Sequence, residues 1–218
     1  MSNVERHYDK DYFEWQRKSG QTTGRVQARV FQPYIRFDDV VLDFGCGGGF
    51  LLAALRCGHR VGVEINASAR ANAAALAIDA HARLSEIPDS SIDVLISHHA
   101  IEHVMDPAAV LAELYRCGRP GARLLLVVPC DRPGDRFDAT DINKHLFSWS
   151  PMNLGNIVSA ASFEVTESFS YRHAHPPRIA DWLAEHGGPK QRLFHAVATA
   201  YGHSWRAPRQ TVCAAVRP

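Results

Sequence analysis

The chain has no excess of either charge, no long apolar run and no paired-cysteine spacing, and each absence removes a class of function. Its 24 lysines and arginines against 23 aspartates and glutamates leave a net charge of +1, and the pI lies near 7.8. A domain that grips DNA or RNA shows clustered basic residues and a pI above about 9, so no nucleic-acid partner is expected. No stretch reaches the roughly 18 consecutive apolar residues that a membrane span needs. The N-terminus is polar and aromatic, unlike a secretory leader. Cys46, Cys57, Cys117, Cys130 and Cys213 are odd in number and form no C-x-x-C, so they read as reduced thiols of a cytoplasmic protein. What remains is ordinary globular material: 218 residues, 46% of them hydrophobic, enough for one domain with a real core.

After residue 40, apolar runs of strand length alternate with helical patterns, the signature of a parallel sheet covered on both faces. Strands are expected at Val40–Phe44, Arg60–Ile65, Ala80–Leu84, Ile92–Ser97, Arg123–Val128, Phe163–Ser168 and Thr211–Val216. Helices are expected at Phe50–Cys57, Ser68–Ile78, Pro107–Cys117 and from Ser150-Pro151 to Ala161. The Pro107 helix has the clearest ends, because Asp106 can cap its first N–H groups, Pro107 suits the first helical position and Gly118 stops it. The whole of 1–218 reads as a single domain with a helical cap at 1–35, a core at 36–169, a helical insertion at 170–208 and a last strand at 209–218. The cap carries Tyr8, Tyr12, Phe13 and Trp15 and reads either as a helix packed on the sheet edge or as a lid. The insertion is expected to shape a substrate pocket or a subunit contact, since such additions to a rigid scaffold are where function varies.

The most informative run is Val40-Val41-Leu42-Asp43-Phe44-Gly45-Cys46-Gly47-Gly48-Gly49, answered by Glu64 at the end of the next apolar segment. A buried strand, a glycine turn and a helix present backbone N–H groups to a nucleotide-like ligand. The dinucleotide pattern G-x-G-x-x-G places its third glycine on Phe50 here, and a carboxylate at Asp43 would repel a pyrophosphate. Asp43 suits a cationic ligand better. The stretch resembles motif I of the class I S-adenosylmethionine-dependent methyltransferases, with Glu64 in the place of the acid that grips the ribose hydroxyls. That resemblance implies an α/β, Rossmann-like, doubly wound sheet of seven strands, mostly parallel with an antiparallel last strand and helices on both faces. It also implies S-adenosyl-L-methionine as cofactor, held by Asp43, Phe44, Gly45, Cys46, Gly47, Gly49, Glu64, Ile65, His81, Ala82 and Ser97. His81 stands where related enzymes carry an acid that reads the adenine amino group, so backbone around Ala82 or Arg83 is an alternative contact.

Further on, Glu102-His103-Val104 through Asp106-Pro107 resembles the E-H-V/L-x-D-P signature of the type 11 methyltransferases, a family that includes ubiquinone and menaquinone biosynthetic enzymes and many small-molecule O- and C-methyltransferases. Methyl transfer from a sulfonium is an in-line displacement that depends on alignment and on excluding water, and transfer to a hydroxyl also requires a base. His98, His99 and His145 are the candidates, all expected near the ligand edge of the sheet. Trp149 is read as an aromatic wall of the acceptor pocket or as a packed residue of a capping loop. Glu102 and His103 are read as architectural. His99 and His103, four apart with a glutamate between, invite a zinc reading, but no third ligand is evident and no metal is expected. The leading reading is a methyltransferase acting on a small molecule, at a hydroxyl oxygen, as a monomer or homodimer. The alternatives are a tRNA or protein methyltransferase, disfavoured by the charge and by Ser97-His98-His99-Ala100 where N/D-P-P-Y would stand, and a non-catalytic cofactor-binding module or a nucleotide-binding oxidoreductase.

Overall fold

The computed structural model describes residues 20, 23–130, 136–141, 143–171 and 209–218. In chain order these form a helix α1 over 23–31, β1 Val40–Phe44, α2 Phe50–Ala54, β2 His59–Val63, α3 Ala67–Ala75, β3 Asp79–His81, β4 Ile92–His98, α4 Pro107–Cys117, β5 Gly118–Cys130, α5 Pro151–Ala160, β6 Glu164–Tyr171 and β7 Arg209–Val216. The seven strands lie in the order β3-β2-β1-β4-β5-β7-β6. The pairs from β3 to β5 are all parallel, and β7 runs antiparallel to both β5 and β6. The parallel part is the sheet that the alternation of patterns predicted, and the doubly wound order with its antiparallel strand is the one the resemblance implied. Among the described residues no helix is long and apolar enough to cross a membrane, and no disulfide joins the five cysteines.

Register explains why both faces are apolar. Val61, Leu42, Leu95, Leu124 and Ala215 pair across five neighbouring strands, and because side chains of a strand alternate between faces, they form one row on one side of the sheet. That row packs with Leu111 and Leu114 of α4 and Leu154 and Val158 of α5. The opposite face carries Val41, Val94, Ile96, Leu125, Val127 and Val212, packed with Ala28 and Phe31 of α1, Leu51 and Leu52 of α2 and Ala73 of α3. Asp43 shares this second face in the row Gly62, Asp43, Ile96, Leu125 and Ala214. A carboxylate therefore stands in an otherwise apolar row, next to the strand ends.

Local chemistry sets the element ends. α4 begins where Asp106 accepts from Ala109 N at 3.0 Å, with Pro107 at the first position, as the sequence predicts. α2 is shorter than the Phe50–Cys57 expectation, because Leu55 turns extended and Arg60 donates to the carbonyls of Leu52 and Leu55 at 2.9 and 2.8 Å. A side chain from β2 thus satisfies the helix's final acceptors one turn early. β3 stops at His81, short of the expected Leu84, since Leu84–Glu86 closes into a 3-10 turn. β5 begins five residues before the expected Arg123, its first part held by Gly121 N to Arg217 O and Arg217 N to Ala122 O, both 2.8 Å. Tyr8, Tyr12, Phe13, Trp15 and most of the 170–208 insertion, with its histidines at 173, 175, 186, 195 and 203, lie outside the described residues.

Candidate functional site

The site grows from the end of β1. After Phe44 the chain turns through Gly45, whose φ of 76° lies in the left-handed region and whose missing side chain leaves room for the β carbon of Ala100. Gly45 N and Cys46 N both donate to Val63 O, at 2.8 and 3.1 Å, which ties the loop to the end of β2. There Glu64 fixes two backbones at once: Oε2 accepts from Gly47 N at 3.0 Å and Oε1 from Asn66 N at 2.8 Å. Asn66 caps α3, accepting from Ser68 N and Ala69 N. Glu64 is mostly buried, and burial raises its carboxyl above the ordinary range while the backbone donors Asn66 and Gly47 and the Arg70 guanidinium pull it back.

Two cavities open on either side of this loop. The first, about 330 Å³, is lined by Phe44, Gly45, Gly47, Val63, Glu64, Ile65, Asn66, Ala82, Arg83, Leu84, Ala100 and Val104 among others. Its walls are largely apolar, with Glu64 and Asn66 as polar points, which is the composition a flat heterocycle joined to a diol requires. The second, about 430 Å³, is lined by Asp43, Gly45, Cys46, Gly47, Gly48, His98, Asn143, His145 and Gln210, with Gly20, Thr23 and Gln27 from the α1 side. Gly45, Gly47, His99 and His103 line both cavities. The two spaces therefore meet at the glycine loop and the histidines after β4.

Asp43 is 2% exposed and its Oδ1 accepts no hydrogen bond among the described residues. Burial, and then the Glu64 charge, hold its carboxyl well above the usual carboxylate range. An unsatisfied buried carboxylate facing a cavity is costly unless a donor arrives to meet it. A ligand with an ammonium group supplies that donor, so the residues present fit a cationic amino-acid tail.

Several of the residues the sequence singled out stand apart from these cavities. His81 ends β3 and turns to Asp79 at 3.0 Å and Glu86 at 3.5 Å, leaving Ala82 and Arg83 on the first cavity. Ser97 is fully buried and donates to Phe44 O at 2.9 Å, which joins β4 to β1. Gly49, with φ 80°, lies against Ile78 and Ala73, where a β carbon would come within 2.5 Å of Ile78 Cδ1; it lets α2 sit close to α3. Trp149 is 4% exposed in the core, stacked on Phe147 with centroids 5.4 Å apart, so it packs the capping loop instead of walling the acceptor space.

The segment after β4 holds the least anticipated arrangement. His99, with φ 53°, lies beside His98, ring centroids 4.5 Å apart, and His98 meets Phe31 of α1 edge-on. Ile101–His103 forms a 3-10 turn, so His99 and His103 do not share an α-helical face. Glu102, read from sequence as architectural, is fully buried, and among the described residues neither carboxylate oxygen is hydrogen-bonded. Its Oε1 lies 3.5 Å from His99 Nδ1, 3.8 Å from His103 Nε2 and 3.9 Å from His145 Nε2. Burial pushes the Glu102 carboxyl up to about 8. Burial, then the neighbouring His145 and His103, pushes His99 down to about 4. The third partner that the sequence could not supply is His145, brought in because Leu146 N and Phe147 N both donate to Glu102 O, at 2.9 and 3.2 Å.

The chain is similar in sequence and in fold to S-adenosylmethionine-dependent methyltransferases. The family model described as a methyltransferase domain of the type 11 group matches residues 42–126, from β1 into β5. A probable S-adenosylmethionine-dependent methyltransferase of Mycolicibacterium smegmatis is 29% identical over 178 residues, 73% of this chain and 65% of that protein. A ubiquinone biosynthesis O-methyltransferase of Hahella chejuensis is 35% identical over 96 residues, covering 38% of this chain and 40% of the relative. The matches thus span less than two thirds of both relatives' lengths. Among solved structures, a SAM-dependent methyltransferase from Archaeoglobus fulgidus superposes with a TM-score of 0.63 at 17% identity, covering 94% of this chain and 99% of that one, which is a likeness of fold.

Proposed function

We propose that this chain transfers the methyl group of S-adenosylmethionine to a hydroxyl oxygen of a small molecule. The observation that carries the reading is Asp43, a buried carboxylate with an unsatisfied oxygen at the wall of a cavity that meets a second one across Gly45 and Gly47. In this reading Asp43 accepts from the ammonium group of the cofactor and Glu64 from its ribose hydroxyls. Ile65, Ala82, Leu84 and Val104 flank the adenine, and Arg83 lies beside them. When bound, the cofactor supplies an electrophilic methyl group on a sulfonium. The protein's own contribution is then to align an acceptor in the second cavity and exclude water from the line of attack. A hydroxyl acceptor must also lose its proton, and His98, His99 and His145 all line that cavity. Burial leaves His99 too weakly basic to hold a proton near neutrality, so His98 and His145 are the better placed of the three to act as base.

Transfer to oxygen is supported by the histidines at the meeting of the two cavities and by the kind of reaction that the Hahella relative's name records. The near-neutral charge favours a small acceptor over a nucleic acid. The test is a panel of hydroxylated aromatic and aliphatic acceptors incubated with protein and S-adenosylmethionine labelled in the methyl group. Labelled ether product that disappears when the hydroxyl is replaced by hydrogen supports the reading. Label on nitrogen or carbon only, or on protein or RNA only, overturns it.

A further inference from the structure

Among the described residues of the site, Glu102 is fully buried and has a hydrogen-bond partner on neither oxygen. Three imidazoles surround it, and all three present a nitrogen to the same oxygen: His99 Nδ1 at 3.5 Å, His103 Nε2 at 3.8 Å and His145 Nε2 at 3.9 Å from Oε1. One donor atom from each of Glu102, His103 and His145 lies within 4.8 Å of the other two. These separations are too long for hydrogen bonds. The two Glu102 separations to His103 and His145 exceed by about 0.5 Å the roughly 3.3 Å between ligand atoms at the corners of a tetrahedron around a cation held at about 2.0–2.1 Å, so small side-chain shifts bring the three groups onto one ion.

The scaffold holds the group from two sides. Glu102 and His103 share the 3-10 turn Ile101–His103. His145 reaches them from 42 residues further along the chain through the two backbone bonds from Leu146 and Phe147 to Glu102 O, and its ring meets that of His103 with centroids 4.9 Å apart. Both His103 and His145 line the second cavity. We propose that Glu102, His103 and His145 bind a divalent first-row transition ion, of the Zn²⁺ kind, with its remaining coordination position open to the second cavity. Two imidazoles and one carboxylate favour such an ion over Mg²⁺, which prefers oxygen ligands and keeps its waters. Three protein ligands with one position left open is the pattern of zinc sites that bind a water or substrate oxygen.

Metal binding itself is independent of the methyltransferase reading. Use of the open position by an acceptor oxygen rests on that reading. A hydroxyl ligated there loses its proton more readily, so with the ion bound His145 acts as a ligand and not as a base.

The experiment uses untagged full-length protein, stripped with chelator and titrated with ZnSO₄ by calorimetry and with CoCl₂ by visible d–d absorption, with MgCl₂ as a third arm. The variants are Glu102→Gln, His103→Ala and His145→Ala, with His59→Ala as a control because His59 lies exposed beside Asp79 on β2. Loss of an outer-shell partner alone lowers metal affinity about 10–100-fold, so each ligand variant is expected to lose at least about 100-fold while His59→Ala keeps wild-type affinity. Mg²⁺ at matched concentration is expected to leave the Co²⁺ spectrum unchanged. S-adenosylhomocysteine binding is measured on the same samples as a fold check and separates failure of this proposal from failure of the cofactor reading. His145→Ala changes a partly exposed loop residue and stays interpretable should Glu102→Gln not fold. Unchanged Zn²⁺ and Co²⁺ affinity in folded His145→Ala, or no binding by wild-type protein that takes S-adenosylhomocysteine, overturns the proposal.

Discussion

Replacing Asp43 by Asn should separate what the carboxylate costs the empty protein from what it contributes to the ligand. Asn keeps the size and one acceptor but removes a carboxylate that is buried and, among the described residues, lacks a donor on Oδ1. In the folded empty protein, burial and Glu64 raise the Asp43 carboxyl well above its unfolded value. As pH rises from the ordinary carboxylate range toward that raised value, the unfolded chain releases its proton first, so stability falls through this window. Each unit of elevation corresponds to about 1.4 kcal/mol. Asp43→Asn escapes that fall, and the empty variant is expected to be at least as stable as wild type at neutral pH by urea unfolding. Binding reverses the sign. The ammonium of S-adenosylhomocysteine favours the charged carboxylate, so wild type should release a proton on binding and gain affinity with rising pH through the same window. Removing one partner of a buried charge pair costs about 2–5 kcal/mol, or about 30-fold to several thousandfold in Kd. Calorimetry in two buffers of different ionisation enthalpy measures both the affinity and the proton count. Wild-type affinity in Asp43→Asn and in Asp43→Ala, or no proton release by wild type at pH values between the ordinary carboxylate range and the raised value, would refute the reasoning.

Other substitutions probe the frame around that carboxylate. Glu64→Gln can satisfy only one of the backbone donors Gly47 N and Asn66 N; it should cost about 1.5–3 kcal/mol of stability, the range for bonds to a charged group, and weaken S-adenosylhomocysteine, both read on one sample by thermal shift. Gly45→Ala adds a side chain at φ 76° against Ala100 and is expected to lose about 1–3 kcal/mol from backbone strain alone in urea unfolding, along with cofactor binding. Ser97→Ala loses the bond to Phe44 O, which costs about 0.5–1.5 kcal/mol; calorimetry should return wild-type S-adenosylhomocysteine affinity, and a large loss would restore Ser97 to the cofactor contacts. Asp106→Ala removes the cap of α4 and should cost about 0.5–2 kcal/mol, again without a change in that affinity.

Elements whose signals are local could be read from the chain. α4 runs from Pro107 to Cys117 as expected, because its cap, its first proline and its stop are adjacent in sequence. Strand centres were legible from their apolar runs, whereas strand ends depended on partners: Arg217 lies 96 residues after Gly121 yet pairs with it to lengthen β5. α2 ended early for the same reason, through Arg60. At the site, Asp43 and Glu64 carried the plainest signal, since each sits at the end of an apolar strand. His81 and Ser97 were placed by analogy of position, and a strand position does not say which neighbour a polar side chain will meet. Glu102 was the hardest to read. Its significance comes from His145, and only the folded loop brings the two together.

The most direct test of the account is a crystal structure of the protein with S-adenosylhomocysteine. The account predicts the ammonium within hydrogen-bond distance of Asp43, the ribose hydroxyls on Glu64, the adenine between Ile65 and Ala82, and the sulfur turned toward the cavity that His98 and His145 line. Ligand bound elsewhere, or bound in the first cavity with its amino group far from Asp43, would contradict it.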